Sequence, residues 1–168
     1  MASCIVYYSL SGNTEYAAKY LGDKLGAEVF GVEESEKRKG VFGFIKSGFQ
    51  AVSGQPALIS PDSFGYVEDF DTVWLLSPIW AGNANPAMNA FLDGAKLSDK
   101  TVHIVTFQAD PDAGSAPKVH EYLSKRVAEK GGRVGRTWAL HSASPGKFAG
   151  EEALSSQIDT VLSEFRAS

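Results

Sequence analysis

Short apolar runs alternate with segments of helical periodicity along most of this 168-residue chain. The runs lack the polar alternation of a half-exposed strand and are typical of parallel strands buried on both faces. We predict strands at residues 3–8, 28–32, 71–77, 101–107 and 135–140, and helices at 13–25, 86–92, 116–130 and 151–165. Because strands that alternate with helices form βαβ units, the sequence predicts an α/β fold, a doubly wound five-stranded parallel sheet with helices on both faces.

The connection formed by residues 33–69 is too long for a simple loop between strands. Within it, apolar residues recur at helical spacing over residues 41–52, which predicts a further helix packed on the sheet. The Gly-Gln-Pro sequence at 54–56 would end that helix. The length of residues 1–168 fits one domain, so we expect a single domain throughout.

Charge and hydropathy exclude several classes of function. The net charge of −4 and the pI near 5.4 argue against nucleic acid as a partner. No stretch approaches the roughly 18 apolar residues that a membrane span requires. Cys4, the only cysteine, cannot form a disulfide within the chain, and no signal peptide is recognisable at the N-terminus. We therefore expect a cytoplasmic protein with no membrane span.

The most informative segment lies between the first predicted strand and the first predicted helix. It consists of Ser9, Leu10, Ser11, Gly12, Asn13 and Thr14. A helix N-terminus presents unsatisfied N–H groups and the positive end of the helix dipole, so anions bind there. Gly12 lets the backbone approach a ligand closely, and the hydroxyl and amide side chains can donate hydrogen bonds. Since the segment has no Lys or Arg, it suits one phosphate monoester rather than a nucleoside triphosphate.

A simpler interpretation is that Ser11 or Asn13 only caps the helix. An isolated Ser-Gly-Asn sequence would favour capping. Here two hydroxyls precede the glycine and a further hydroxyl follows the asparagine, all at a strand-to-helix turn. This arrangement favours phosphate binding over capping.

Residues 6–14, Val-Tyr-Tyr-Ser-Leu-Ser-Gly-Asn-Thr, resemble the phosphate loop of the flavodoxin family, which reads Ser/Thr-x-Ser/Thr-Gly-x-Ser/Thr. The similarity extends over most of the chain, because the first strand, the first helix and a C-terminal helix follow in the family's order. The resemblance implies a strand order of 2-1-3-4-5. It also implies flavin mononucleotide (FMN) at the switch point, beyond the carboxyl ends of the strands.

A second motif follows the third predicted strand and comprises Ser77, Pro78, Ile79, Trp80, Ala81 and Gly82. It resembles the Thr-Pro-Ile-Trp-x-Gly loop that flanks the isoalloxazine ring in flavodoxin-like proteins. The resemblance implies that the Trp80 indole stacks on the ring and that the Gly82 peptide can reorient toward reduced flavin. The alternative is that Trp80 is ordinary core packing near the start of a helix.

The third candidate loop follows the fourth predicted strand and contributes Phe107, Gln108, Ala109 and Gly114. The resemblance implies that this loop binds the pyrimidine edge of the flavin, with Gln108 able to hydrogen-bond a flavin carbonyl. The loop lacks the tyrosine or paired glycines of many relatives, which leaves the second stacking partner undefined. Asp110 and Asp112 suit a solvated turn better than a metal site.

Other catalytic signatures are absent from the sequence. There is no Gly-x-Ser-x-Gly elbow, no Gly-x-Gly-x-x-Gly fingerprint and no histidine pair at metal-ligand spacing. We therefore expect no catalytic acid or base and no metal, because FMN supplies its own redox chemistry. The sequence favours an electron-transfer protein that uses FMN and a redox partner protein.

Two alternatives stay open at this stage. One is an FMN-dependent enzyme that oxidises NAD(P)H and reduces quinones, and the other is an interaction or regulatory module that binds FMN weakly. A fold supports many functions, so the resemblance alone does not choose between them. The sequence predicts no oligomeric state.

Overall fold

The structure, a computed structural model, describes residues 2–35, 57–110, 112 and 114–167. The strands in these residues are β1 (Ser3–Tyr7), β2 (Glu28–Gly31), β3 (Thr72–Trp80), β4 (Asn83–Ala84), β5 (Thr101–Gln108) and β6 (Arg133–His141). The helices are α1 (Asn13–Leu25), α2 (Pro86–Gly94), α3 (Ala116–Glu129) and α4 (Glu151–Arg166), with a 3₁₀ helix at Pro61–Val67. The helix predicted at 41–52 lies outside the described residues.

The long strands form one parallel sheet in the order β2-β1-β3-β5-β6. Since β5 and β6 are the fourth and fifth of these long strands, the predicted order 2-1-3-4-5 is confirmed. The short strand β4 pairs antiparallel with the end of β3 and lies off this path. The sequence analysis did not anticipate β4, because a strand of two residues has no periodicity to detect.

Helices cover both faces of the sheet, as predicted, and alternate strand residues point to the two cores. On one face, α2 and α3 pack against strand residues such as Val6, Leu75 and Ile104. On the other face, α1 and α4 pack against Ile5, Leu76 and other residues of the opposite parity. No helix in the part of the chain described here is both long and apolar enough to cross a membrane.

An aromatic cluster fills the second core near the amino ends of the strands. Its members are Trp74, His103, Trp138 and Phe165, with the Trp74 and Trp138 rings stacked at 5.5 Å between centroids. His103 is 6% exposed, and its Nδ1 accepts a hydrogen bond from the Arg136 N–H at 3.1 Å. Burial lowers the pKa of His103 to about 4, with a smaller effect from the Arg136 charge. His103 is therefore a neutral structural histidine at pH 7.

The depressed pKa of His103 predicts a loss of stability in mild acid. In the unfolded chain His103 binds a proton as the pH falls below its ordinary pKa of about 6.5. In the folded chain it binds that proton only near pH 4. The free energy of unfolding should fall across this window by about 2 kcal/mol from His103, after allowance for solvent screening. Urea unfolding of His103→Gln between pH 7 and pH 4.5 should show a correspondingly smaller fall than the parent protein.

An equal pH dependence in His103→Gln and the parent would contradict the burial account.

Candidate functional site

The carboxyl ends of the parallel strands meet at one edge of the sheet, where a cleft of about 250 Å³ opens. It lies at the switch point between β1 and β3, the position at which open parallel sheets bind ligands. The lining residues are Ser9, Leu10, Ser11, Asn13, Thr14, Pro78, Ile79, Trp80, Ala81, Phe107, Ala109, Ser142, Ala143 and Pro145. Among these described residues none carries a charge, and most are apolar.

The first wall of the cleft is the turn from β1 into α1. Gly12 precedes the helix with a φ of +89°, and its N–H donates to Ser9 Oγ at 3.1 Å. The hydrogen-bond ladder of α1 starts at Tyr16, whose N–H donates to Gly12 O, so the N–H groups of residues 13–15 lie ahead of it. Among the described residues no side chain caps α1. The capping role considered for Ser11 or Asn13 is therefore not observed.

The side chains of Ser11 and Asn13 instead contact the loop after β6. Asn13 Nδ2 donates to Lys147 O at 2.8 Å, and Asn13 Oδ1 accepts from the Ala149 N–H at 2.8 Å. Ser11 Oγ accepts from the Gly146 N–H at 3.2 Å. Whether these side chains also contact a phosphate stays a prediction.

The second wall corrects the predicted end of β3. The strand does not end at Ser77 but continues to Trp80, with Ser77 opposite Thr106 and Pro78 opposite Phe107 of β5. Proline is tolerated here because β1 pairs with β3 only as far as Leu76, so no β1 neighbour needs a hydrogen bond from position 78. Residues 77–80, which the sequence suggested to be part of a loop, extend β3 beyond the end of its neighbour β1.

A tight hairpin joins β3 to β4 at the rim of the cleft. Trp80 pairs with Asn83, which leaves Ala81 and Gly82 as the turn, with φ values of +47° and +71°. Positive φ at both positions is the signature of a type I′ turn. Asn83 stabilises the turn, because its Nδ2 donates to Ala81 O at 2.8 Å. The Asn83 Oδ1 accepts a hydrogen bond from Lys118 Nζ at 3.0 Å.

Trp80 has the core packing that one interpretation of the sequence predicted and also lines the cleft, whereas its stacking on a flavin ring stays a prediction. Its ring packs against the core and meets Tyr8 edge to face at 5.5 Å, yet the residue is only partly buried and lines the cleft. A large flat apolar surface is thus presented at the site.

The third wall is the end of β5. Phe107 and Ala109 line the cleft, whereas Gln108 does not. Gln108 is 3% exposed, with its Nε2 3.4 Å from Asp110 O. Gly12, Ser77, Gly82 and Gly114 also lie outside the lining, although the first three adjoin lining residues in sequence.

Comparison with known proteins supports the fold independently of the site. No family model and no curated protein matches the chain. Among solved structures, a candidate flavoprotein of Bacteroides uniformis superposes with a TM-score of 0.70 at 20% identity, covering 94% of this chain and 97% of that one. Flavodoxin 1 of Bacillus cereus gives 0.59 at 16% identity, covering 95% and 94%. The chain has a flavodoxin-like fold.

A third similar structure is a Lactobacillus acidophilus flavoprotein in complex with FMN, with a TM-score of 0.63 at 19% identity. It covers 82% of this chain and 92% of that one. The superpositions establish the flavodoxin-like fold. At such low sequence identities they establish nothing about the site, which depends on this chain's own residues.

The fourth wall of the cleft consists of residues that the sequence did not predict to be part of the site. Ser142, Ala143 and Pro145 follow β6 directly and line the cleft. Topology alone could have suggested them, since every parallel strand ends at the same edge of the sheet. No motif marked them, because they carry neither charge nor a recognisable pattern.

Ionisable groups with shifted pKa values lie outside the lining of the cleft. Burial raises the pKa of Cys4 to about 12, so it is a thiol in the core. Burial lowers the pKa of His120, whose Nε2 lies 2.7 Å from Thr106 Oγ1. The described residues contain no cluster of three or more His, Cys, Asp or Glu side chains able to hold a metal. The described lining thus offers hydroxyl, amide and apolar groups to a ligand.

The strained turn residue Ala81 yields a stability prediction. Asn-Gly is the preferred pair in a type I′ turn, so Ala81→Asn should raise the free energy of unfolding by about 0.5–1 kcal/mol. Ala81→Val should lower it by about 1 kcal/mol or more, because a β-branched residue resists positive φ. Urea unfolding of the three proteins measures both effects. If Ala81→Asn does not raise the free energy of unfolding, residue 81 does not have the positive φ of a type I′ turn.

Proposed function

We propose that the chain binds FMN non-covalently in this cleft and carries electrons to or from a redox partner protein. The observation that carries the proposal is the uncapped N-terminus of α1, which opens onto an apolar cleft beside Trp80. FMN has the matching chemistry, a phosphate monoester joined by a short polar chain to a flat ring. The FMN complex of the similar Lactobacillus acidophilus flavoprotein supports this choice of ligand.

The residues of the first wall fit the phosphate. The N–H groups of residues 13–15 precede the α1 ladder, at the positive end of the helix dipole. Ser9, Ser11 and Thr14 add hydroxyl donors at the same turn. Gly12 is in the left-handed region, where a Cβ is strained, so glycine keeps this turn tight.

The remaining walls fit the ring. Trp80, Pro78, Ile79 and Phe107 present apolar surface to the cleft, which excludes water from a bound aromatic ring. FMN supplies one-electron and two-electron redox chemistry when bound. The chain binds and orients the ring and keeps charged side chains out of the described lining, with no described group placed for acid–base catalysis.

Trp80 provides the test of the ring-binding part of the proposal. Trp80→Leu should weaken FMN binding by roughly 10-fold, since an aromatic stacking contact is worth about 0.5–1.5 kcal/mol beyond its buried area. Flavin fluorescence quenching during titration of the apoprotein measures the affinity. Tyr122→Leu, a change of an exposed aromatic on α3 outside the lining, serves as the control and should bind FMN normally.

The functional class requires a second experiment on the FMN-loaded protein. Without oxygen, NAD(P)H should leave the flavin oxidised, while dithionite should reduce it. Rapid bleaching by NAD(P)H with turnover of a quinone would identify the oxidoreductase alternative instead. An apoprotein that does not bind added FMN would overturn the proposal and favour the interaction or regulatory module.

A further inference from the structure

The loop between β6 and α4 lies directly against the proposed phosphate loop. Asn13 binds the backbone of Lys147 and Ala149, and Ser11 binds the backbone of Gly146. A Cβ added to Gly12 would lie 3.9 Å from Phe148 Cδ2, an ordinary van der Waals contact. Residues 146–149 therefore cover the turn that leads into α1.

The contact is fixed rather than incidental. Asn13 is 6% exposed, and both ends of its amide are engaged with backbone groups of the loop at 2.8 Å. Breaking either bond would leave a buried polar group without a partner, which is costly. The position of this loop relative to α1 is thus set by one buried side chain.

The loop after β6 carries a positive charge, whereas the described lining of the cleft carries none. Residues 9–14 contain no Lys or Arg, and the described lining of the cleft is uncharged. The phosphate of FMN, however, carries nearly two negative charges at neutral pH. Lys147 is exposed, and its carbonyl is already bonded to Asn13 at the start of α1. A lysine side chain carries a compact ammonium on a flexible four-carbon stem, and as a point charge it is a common phosphate-binding group.

We propose that Lys147 is a phosphate-binding residue of the FMN site and that Asn13 is the positioning residue that brings it there. The proposal rests on the proposed function, because it assumes that the phosphate lies at the start of α1. It extends the site to a loop that follows the last strand of the sheet. It also gives Asn13 a role beyond direct contact with the ligand.

The test compares FMN with riboflavin, which has the same ring but no phosphate. Lys147→Gln should weaken FMN binding by about 2- to 5-fold, a size expected for one solvent-exposed charge pair, and should leave riboflavin binding unchanged. The salt dependence of FMN affinity should fall in the same variant, because surface charge pairs are screened by salt. Lys147→Arg should restore FMN affinity.

Matched variants separate charge from structure. Lys125→Gln removes the same charge from an exposed position on α3 and should bind FMN as the parent protein does. Asn13→Ala should lower the ratio of FMN to riboflavin affinity if it folds. If Asn13→Ala does not fold, the Lys147 variant decides the proposal, because within the described residues Lys147 forms its hydrogen bonds through its backbone.

Each outcome of the comparison supports or overturns a distinct statement. A parent protein that binds neither flavin would overturn the proposed function itself. A parent that binds FMN while Lys147→Gln and Lys125→Gln both match it would overturn the role of Lys147 and leave the proposed function standing. Equal losses for FMN and riboflavin in Lys147→Gln would mean that Lys147 shapes the loop and does not contact the phosphate.

Discussion

The cleft depends on one topological constraint: the connections that leave two neighbouring strands, β1 and β3, go to opposite faces of the sheet. β1 and β3 pair side by side, but α1 follows β1 on one face of the sheet and α2 follows β3 on the other. The two connections therefore leave a gap at the carboxyl edge. The start of α1 forms one wall of this gap, and Trp80 at the end of β3 forms another. Fold and site thus have the same origin.

Asn13 shows how a buried polar side chain at a helix start can bind a distant loop and not cap its own helix. A helix that starts beside a ligand cannot also be capped by its own side chains without using the same N–H groups. In this chain the amide of Asn13 turns away from the α1 N–H groups and binds the loop after β6. The N–H groups of residues 13–15 stay free of a side-chain cap among the described residues, and the loop at residues 146–149 is held beside them.

Periodicity predicts the five long strands and the described helices, because buried parallel strands and amphipathic helices differ in their apolar spacing. The sheet order is implied by the resemblance to flavodoxins and not by periodicity. The sequence also identifies residues 9–14, where glycine and hydroxyls coincide at a strand-to-helix turn. The continuation of β3 through Pro78 is not predictable locally, because the strand persists only by pairing with β5. The wall at Ser142–Pro145 carries no motif, and only the parallel topology, which ends β6 beside β5 with the Ser142 N–H bonded to Gln108 O, points to it.

Amide NMR spectra recorded while FMN is added test the central claim most directly, because they report where on the chain the ligand lies. The account expects the largest shifts at residues 11–15, with further shifts at the Ala81–Gly82 turn and in residues 142–149. The amides of residues 95–100 and 130–132, at the opposite edge of the sheet, should keep their positions. Shifts concentrated at that opposite edge, with residues 11–15 unchanged, would contradict the assignment of the cleft as the FMN site.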